Sequence, residues 1–231
     1  MIARRTIVSV GHAPFSGSHS DHVLSSRVLL MDVEFTCWEQ NVATRWEDRS
    51  NPREILAVGL VALDADSGEV RDQFHAWVKP RIHPQLSVYC LNLLRVTQAE
   101  IDRAQPLTAI LAAIARWTTA CTWVGAPTCS WGRDRRFLNA DVRRHGCADP
   151  FQGRAHIDVM TQVRQMLGLP SDTFFDRDHA RGILQLPACT RRHDALADAL
   201  DLAGFYGWLR AASPQSMRHD VTARRSGHVE D

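Results

Sequence analysis

The sequence predicts an α/β domain with a mixed β-sheet, on three observations. The first is a short apolar run at residues 29–34 that carries two acids, Asp32 and Glu34, one residue apart at its end. The second is a continuous apolar run at residues 55–63, of the kind expected for a strand covered on both faces, followed by turn chemistry and an alternating return strand. The third is the remainder of the chain, where segments of helical period alternate with short strand-like runs and end in one long helix.

Bulk properties narrow the function classes. With 231 residues the chain can bury one sizeable core. A formal charge of +1 gives no global attraction to nucleic acid, so any such binding rests on local basic patches such as Arg143-Arg144 and Arg191-Arg192. Six cysteines, at positions 37, 90, 121, 129, 147 and 189, include no C-x-x-C pair, which argues against a zinc knuckle. With no secretory signal they read as free thiols of a reducing, cytoplasmic setting. Arg4-Arg5 opens no export signal, because the apolar stretch at 6–10 is too short and the next ten residues are polar and broken by Pro14 and Gly17. No run approaches the length of a membrane-spanning helix.

In chain order, residues 1–26 read as a flexible extension in which 6–10 could add an edge strand. The first core strand covers about 27–34, and 46–52 is a charged loop. Residues 55–63 and 69–78 form an antiparallel hairpin across the turn at 64–68, with Val70, Phe74, Ala76 and Val78 on one face and Lys79-Pro80 ending it. Residues 84–103 are helical, with Leu91, Leu94 and Ile101 inward. Leu107, Ile110, Leu111 and Ile114 have the spacing of an amphipathic helix after Pro106. Residues 122–129 read as a strand, although Gly125 and Pro127 are awkward in a central one. A helix follows from 133 or 134 to about 145. Residues 156–160 are a short strand or the start of a helix that reaches Leu167 and is stopped by Gly168 and Pro170. Residues 171–190 are an irregular connection, the last helix spans about 194–209, and a polar tail follows Ala212. The folded domain is therefore 27–211, with 212–231 a disordered tail.

Side chains on a strand alternate faces, so Asp32 and Glu34 point the same way, about 7 Å apart. Two like charges at the end of a buried strand are costly, and a bound divalent metal would resolve the conflict. Two further clusters could join them. Ser130-Trp131-Gly132-Arg133-Asp134 puts an acid at a strand-to-helix junction. His193 and Asp198 are five apart, about 140° round a helix, so they cannot share a helical face. The sensible geometry puts His193 on the loop, Asp194 at the N-cap and Asp198 in the first turns. Neither D-x-E nor H-x4-D is evidence by itself; order, separation and context carry the argument.

The stretch Met31-Asp32-Val33-Glu34-Phe35-Thr36-Cys37-Trp38-Glu39, with Arg53-Glu54-Ile55-Leu56, residues 74–80, Cys90, Val96-Thr97-Gln98, Ser130-Trp131-Gly132, Asp134 and His193 to Asp198, resembles the DEDDh 3′-to-5′ exonucleases of the RNase H-like fold. It is most similar to the Eri-type branch, which includes histone-mRNA exonucleases and bacterial KapD-type proteins, over roughly residues 27–210. The resemblance implies an RNase H-like mixed β-sheet flanked by helices. It implies two divalent ions, Mg²⁺ or Mn²⁺, held by Asp32, Glu34, Asp134 and Asp198, which suits hard cations and phosphodiester chemistry. Asp32 would touch both ions, and Glu34 would help hold the catalytic ion and the terminal nucleotide. His193 would take the proton from the attacking water near neutral pH. Phe35, Thr36 and Trp38 would contact the 3′-terminal nucleotide, with Trp131, Arg95 and Arg192 as further substrate contacts. The substrate would be a single-stranded 3′ end, RNA more than DNA.

The chain departs from the family pattern in three places. One residue, not two, separates Gly132 from Asp134, which leaves Asp141 as an alternative ligand. The family's Leu-Thr-Gly-Ile-Thr reads Leu93-Leu94-Arg95-Val96-Thr97, which offers an arginine to a phosphate. Asp201 stands where the family often has Asn. Blander readings exist as well: Asp134 as a plain N-cap, Trp38 and Trp131 as core aromatics, Arg191 and Arg192 as solvated charges, and Asp158 and His179 as structural residues. The rival functions are a binding or regulatory module that no longer cuts and a DNA proofreading-type subunit. No membrane association and no protein-partner motif are expected.

Overall fold

The computed structural model describes residues 24–43, 52–120, 123–171, 175–189 and 191–212. The expected extension up to residue 23, the edge strand within it, most of the 46–52 loop and the polar tail lie outside the described residues.

The chain begins with β1 (Arg27–Phe35), followed by the short α1 (Glu39–Ala43), β2 (Ile55–Asp64) and β3 (Glu69–Lys79). Then come α2 (Val88–Leu94), α3 (Gln98–Arg103), β4 (Gln105–Pro106), α4 (Leu107–Ala120), β5 (Thr128–Ser130) and α5 (Asp134–Arg144). It finishes with β6 (His156–Asp158), α6 (Val159–Met166), α7 (Arg177–Leu184) and α8 (Ala195–Ala212). The strands form one mixed sheet in the order β4-β3-β2-β1-β5-β6. β1, β2 and β3 are antiparallel neighbours, whereas β5 runs parallel to β1, β6 to β5 and β4 to β3.

Alternation along β1 sorts the two faces. Leu29, Met31 and Val33 join Val58, Leu60 and Ala62 of β2 beneath α4 and α5. Val28 and Leu30 join Val61 and Leu63 beneath α6 and α8. Both faces of β2 are covered, as its unbroken apolar run requires.

Three sequence-based expectations need correction. The strand at 122–129 is only Thr128–Ser130, because Val124 and Gly125 turn, with Gly125 at φ +84°, and Pro127 serves the sheet through its carbonyl, which accepts the Leu29 N–H at 2.9 Å. The helical stretch at 84–103 is two helices. Arg95 at φ +54° ends α2, and a capping box between Thr97 and Glu100 starts α3. The supposed irregular connection contains α7, capped by Asp176, whose carboxylate accepts the His179 N–H at 2.7 Å. The two readings of 156–160 are both right in part: Asp158 ends β6 and caps α6.

Candidate active site

Asp32 and Glu34 continue the β1 row that begins with Val28 and Leu30, so they emerge on the α8 face at the carboxyl end of the strand. Asp32 pairs in register with Gly59 of β2. A Cβ on Gly59 would lie 2.1 Å from the Ala195 carbonyl oxygen. The missing side chain therefore lets the start of α8 lie directly against the sheet. That approach delivers Asp198, one turn into α8, to the acids of β1. Oxygens of Asp32, Glu34 and Asp198 all lie within 4.8 Å of one another.

Asp134 reaches the same place from the other side. β5 ends at Ser130, and Gly132 turns the chain at φ +68° while its N–H donates to Asp158 Oδ1 at 2.9 Å. Asp134 then stands as the first residue of α5. It is not the N-cap: Arg133 occupies that position and makes no side-chain capping bond. The Asp134 carboxyl is close enough to Asp32 for each to shift the other's pKa, and its Oδ2 is buried with no hydrogen-bond partner. The one-residue shortening thus still brings Asp134 to Asp32, with Asp158 bracing the turn. Asp158 also accepts from the Thr161 N–H at 3.3 Å and hydroxyl at 2.7 Å. Asp158→Ala should therefore cost about 1–2 kcal/mol in urea denaturation, the value of a lost cap. An unchanged midpoint would show that the turn holds itself.

His193 lies on the loop, at φ +58°, in left-handed backbone that costs a non-glycine residue about 1–3 kcal/mol. Its N–H donates to Asp198 Oδ2 at 2.8 Å, which holds the strained residue against the acidic cluster. Asp194 caps α8 by accepting from Leu196 and Ala197. Burial keeps the imidazole below its ordinary pKa despite the pull of Asp198.

Burial lifts Asp32 to about 6, although Arg177 pulls it back. Burial, and then Asp32, push Glu34 and Asp134 well above the usual carboxylate range. Arg177, the first residue of α7, donates to Asp32 and to Asp198 Oδ1, the latter at 2.9 Å. One guanidinium faces four acids. A buried set of hard oxygens with excess negative charge and an orphaned oxygen fits divalent cations such as Mg²⁺ or Mn²⁺.

The other expected residues fall in different places. Phe35 packs on Phe137, with centroids 5.1 Å apart and the Arg53 guanidinium over both rings. Thr36 is buried, and its Oγ1 accepts the Glu54 N–H at 3.0 Å. Trp38 meets His83 edge-on at 4.8 Å. Arg95 is exposed and close enough to act on His193. Arg192 is exposed and paired with Asp178. Trp131 packs between Phe175 and Phe205 in the α8-side core, where its ring serves as filling. Asp141 is not the alternative ligand. Its carboxylate accepts the Ile55 N–H at 2.6 Å, pairs with Arg144, and lines a cavity of ≈ 430 Å³ with Glu54 and His145. Asp201 is tied to Arg181.

Sequence reading missed Arg177, Gly59 and the brace at Asp158. A glycine inside an apolar strand is a recognised sign of close backbone approach, so Gly59 was findable. Nothing local distinguishes Arg177 among the 27 Lys and Arg residues of the chain.

A family profile described as "Exonuclease" (RNase_T) matches residues 29–206. The "ERI1 exoribonuclease 2" of Danio rerio is 36% identical over 92 residues, 40% of this chain and 15% of that protein. This chain thus matches only a small part of that relative's length. Two solved structures share the fold at 23% identity: a full-length 3′-exonuclease (TM-score 0.69, 80% of this chain and 81% of that one) and the nuclease domain of 3′hExo, described as a DEDDh family member bound to rAMP (TM-score 0.68, 80% and 91%).

Proposed function

The chain belongs to the exonuclease family matched over residues 29–206, and from that premise we propose that it is a metal-dependent 3′-to-5′ exonuclease of the DEDDh, Eri-type branch. It would remove nucleoside 5′-monophosphates from single-stranded 3′ ends. The observation that carries the reading is the convergence of Asp32, Glu34 and Asp198 within 4.8 Å, with the unpartnered oxygen of Asp134 beside them. The name of the Danio rerio relative supports RNA over DNA.

Asp32, Glu34, Asp134 and Asp198 would hold two divalent ions, Mg²⁺ or Mn²⁺, which stabilise charge on the attacking and leaving oxygens when bound. The protein's own part is positioning and proton transfer. His193, pinned through its backbone to Asp198 and held below its ordinary pKa by burial, would accept the proton of the attacking water. Phe35, backed by Phe137 and Arg53, forms the wedge for the terminal base, with Thr36 and Trp38 along the same loop. Arg95, whose charge acts on His193, would meet a phosphate there, exposed Arg192 would be a further contact, and Trp131 would act on substrate only through the packing behind the site. No described helix is long and apolar enough to cross a membrane, and the free thiols at Cys37, Cys90, Cys129, Cys147 and Cys189 support a reducing, cytoplasmic setting for the 27–211 unit.

The test is a time course on 5′-labelled single-stranded RNA and DNA with Mg²⁺ or Mn²⁺. A ladder that shrinks from the 3′ end and disappears with chelator is expected, with RNA the faster polymer. His193→Gln should lower kcat by about 10²–10⁴-fold, the usual value of a general base, with little change in oligonucleotide binding. Tight binding without cleavage in either metal would instead identify a binding module.

A further inference from the structure

Arg177 competes for the oxygens on which the proposed chemistry depends. Its side chain is 13% exposed, and the guanidinium donates to Asp32 Oδ1, to Asp198 Oδ1 at 2.9 Å and to the Asp198 carbonyl at 3.3 Å. A divalent ion bound to those carboxylates would sit about 2.0–2.1 Å from the same oxygens for Mg²⁺. A guanidinium nitrogen at hydrogen-bond distance would then crowd the ion with a like charge in a buried site. The two cations would therefore compete for those oxygens. The displaced arginine remains buried beside the cluster and needs another anion, because an unpaired buried charge is costly. In a nuclease the substrate brings one. The planar guanidinium fork suits a phosphate as well as it suits a carboxylate.

We propose that Arg177 is a positioning residue that holds Asp32 and Asp198 before metal enters, gives up those oxygens to the ion, and pairs with the substrate's phosphate. This rests on the metal-dependent reading above. Metal and nucleotide then bind cooperatively, because the phosphate takes the charge that the metal displaces. The geometry makes the pairing part of the fold: Arg177 opens α7, whose cap at Asp176 and buried Ala180 against the α8-side core set where its side chain begins.

The experiment is calorimetric titration of Mn²⁺ into the nucleic-acid-free protein, with and without adenosine 5′-monophosphate, for wild type, Arg177→Gln and Arg177→Lys. The expected result is that Arg177→Gln binds Mn²⁺ roughly 5–150-fold more tightly than wild type without nucleotide, a typical coupling between sites. The nucleotide should then strengthen Mn²⁺ binding less in Arg177→Gln than in wild type. Arg177→Lys, which keeps the charge without the fork, should fall between them and covers the case in which Arg177→Gln does not fold. Mn²⁺ affinity that is unchanged or weaker in Arg177→Gln, or a nucleotide effect of the same size in both proteins, overturns the proposal. Binding is read without turnover. A wild type that binds Mn²⁺ but never cleaves therefore sinks the exonuclease reading alone.

Discussion

Asp32→Asn should lower the rate of 3′ trimming by roughly 10³-fold or more, equivalent to at least about 4 kcal/mol of lost transition-state stabilisation. Asp32 stands at the centre of the cluster: oxygens of Glu34 and Asp198 lie within 4.8 Å, Arg177 pairs with it, and Asp134 acts on it from beside the set. Asparagine keeps the shape and can still accept from Arg177, so the fold should survive. Stability should move the opposite way. Burial raises Asp32 to about 6, and Glu34 and Asp134 are also raised, so the folded metal-free protein holds protons that the unfolded chain has released. A carboxyl whose folded pKa exceeds its unfolded value makes the folded state less stable as pH rises from about 4 through the folded pKa. In chelator, Asp32→Asn should therefore gain thermal stability relative to wild type at pH 8 and little at pH 4. Metal reverses the balance, since an ion present at 100 times its dissociation constant adds about 2.7 kcal/mol to wild type and little to the variant. Melting temperatures at two pH values, with Mn²⁺ and with chelator, check both signs. An Asp32→Asn protein that Mn²⁺ stabilises as strongly as wild type would remove Asp32 from the ligand set.

Gly59→Ala is expected to do the most damage to the fold. The new methyl would stand 2.1 Å from the Ala195 carbonyl oxygen, 2.2 Å from its carbonyl carbon and 2.5 Å from the Leu196 nitrogen. All three atoms are backbone at the start of α8, so no rotamer change relieves the clash. Either α8 lifts off the sheet or β2 bends, and both disturb a core that includes Leu202, Phe205 and Tyr206. Overpacking of an ordinary site costs about 1–3 kcal/mol; a backbone clash of this kind belongs near 3–5 kcal/mol, a large share of a typical total of about 5–15. Protein that still folds should lose activity as well, because Asp198 and His193 are carried by the displaced segment. Urea denaturation together with the trimming assay separates the two losses. Wild-type stability with wild-type activity would show that the close approach of α8 is dispensable.

Much of the site was legible in the chain because its chemistry is local. Strand alternation alone puts Asp32 and Glu34 on one face, and helix geometry alone forbids His193 and Asp198 a shared face and sends the histidine to the loop. Both arrangements are present. The hairpin of β2 and β3 followed from an unbroken apolar run, a turn and an alternating strand. The short β5 was over-read because Thr122 to Cys129 has a strand's composition, whereas Gly125 and Pro127 allow only its last residues to pair. α7 was missed because eight residues with two arginines and a glycine carry little helical signal before their packing against α8 is known.

Sequence by itself determined which residue types this protein could bring to phosphate chemistry and on which face of each element they stand, because periodicity and capping act over a few residues. Tertiary structure alone decided that those elements meet. Asp134 reaches Asp32 despite a shortened turn because Asp158, from another strand, holds the Gly132 N–H. Asp198 reaches Asp32 because Gly59 leaves room for a helix 136 residues further along the chain. Arg177 became part of the site only when α7 packed beside α8. Each of these is a contact between distant segments, and no local preference encodes a partner that far away.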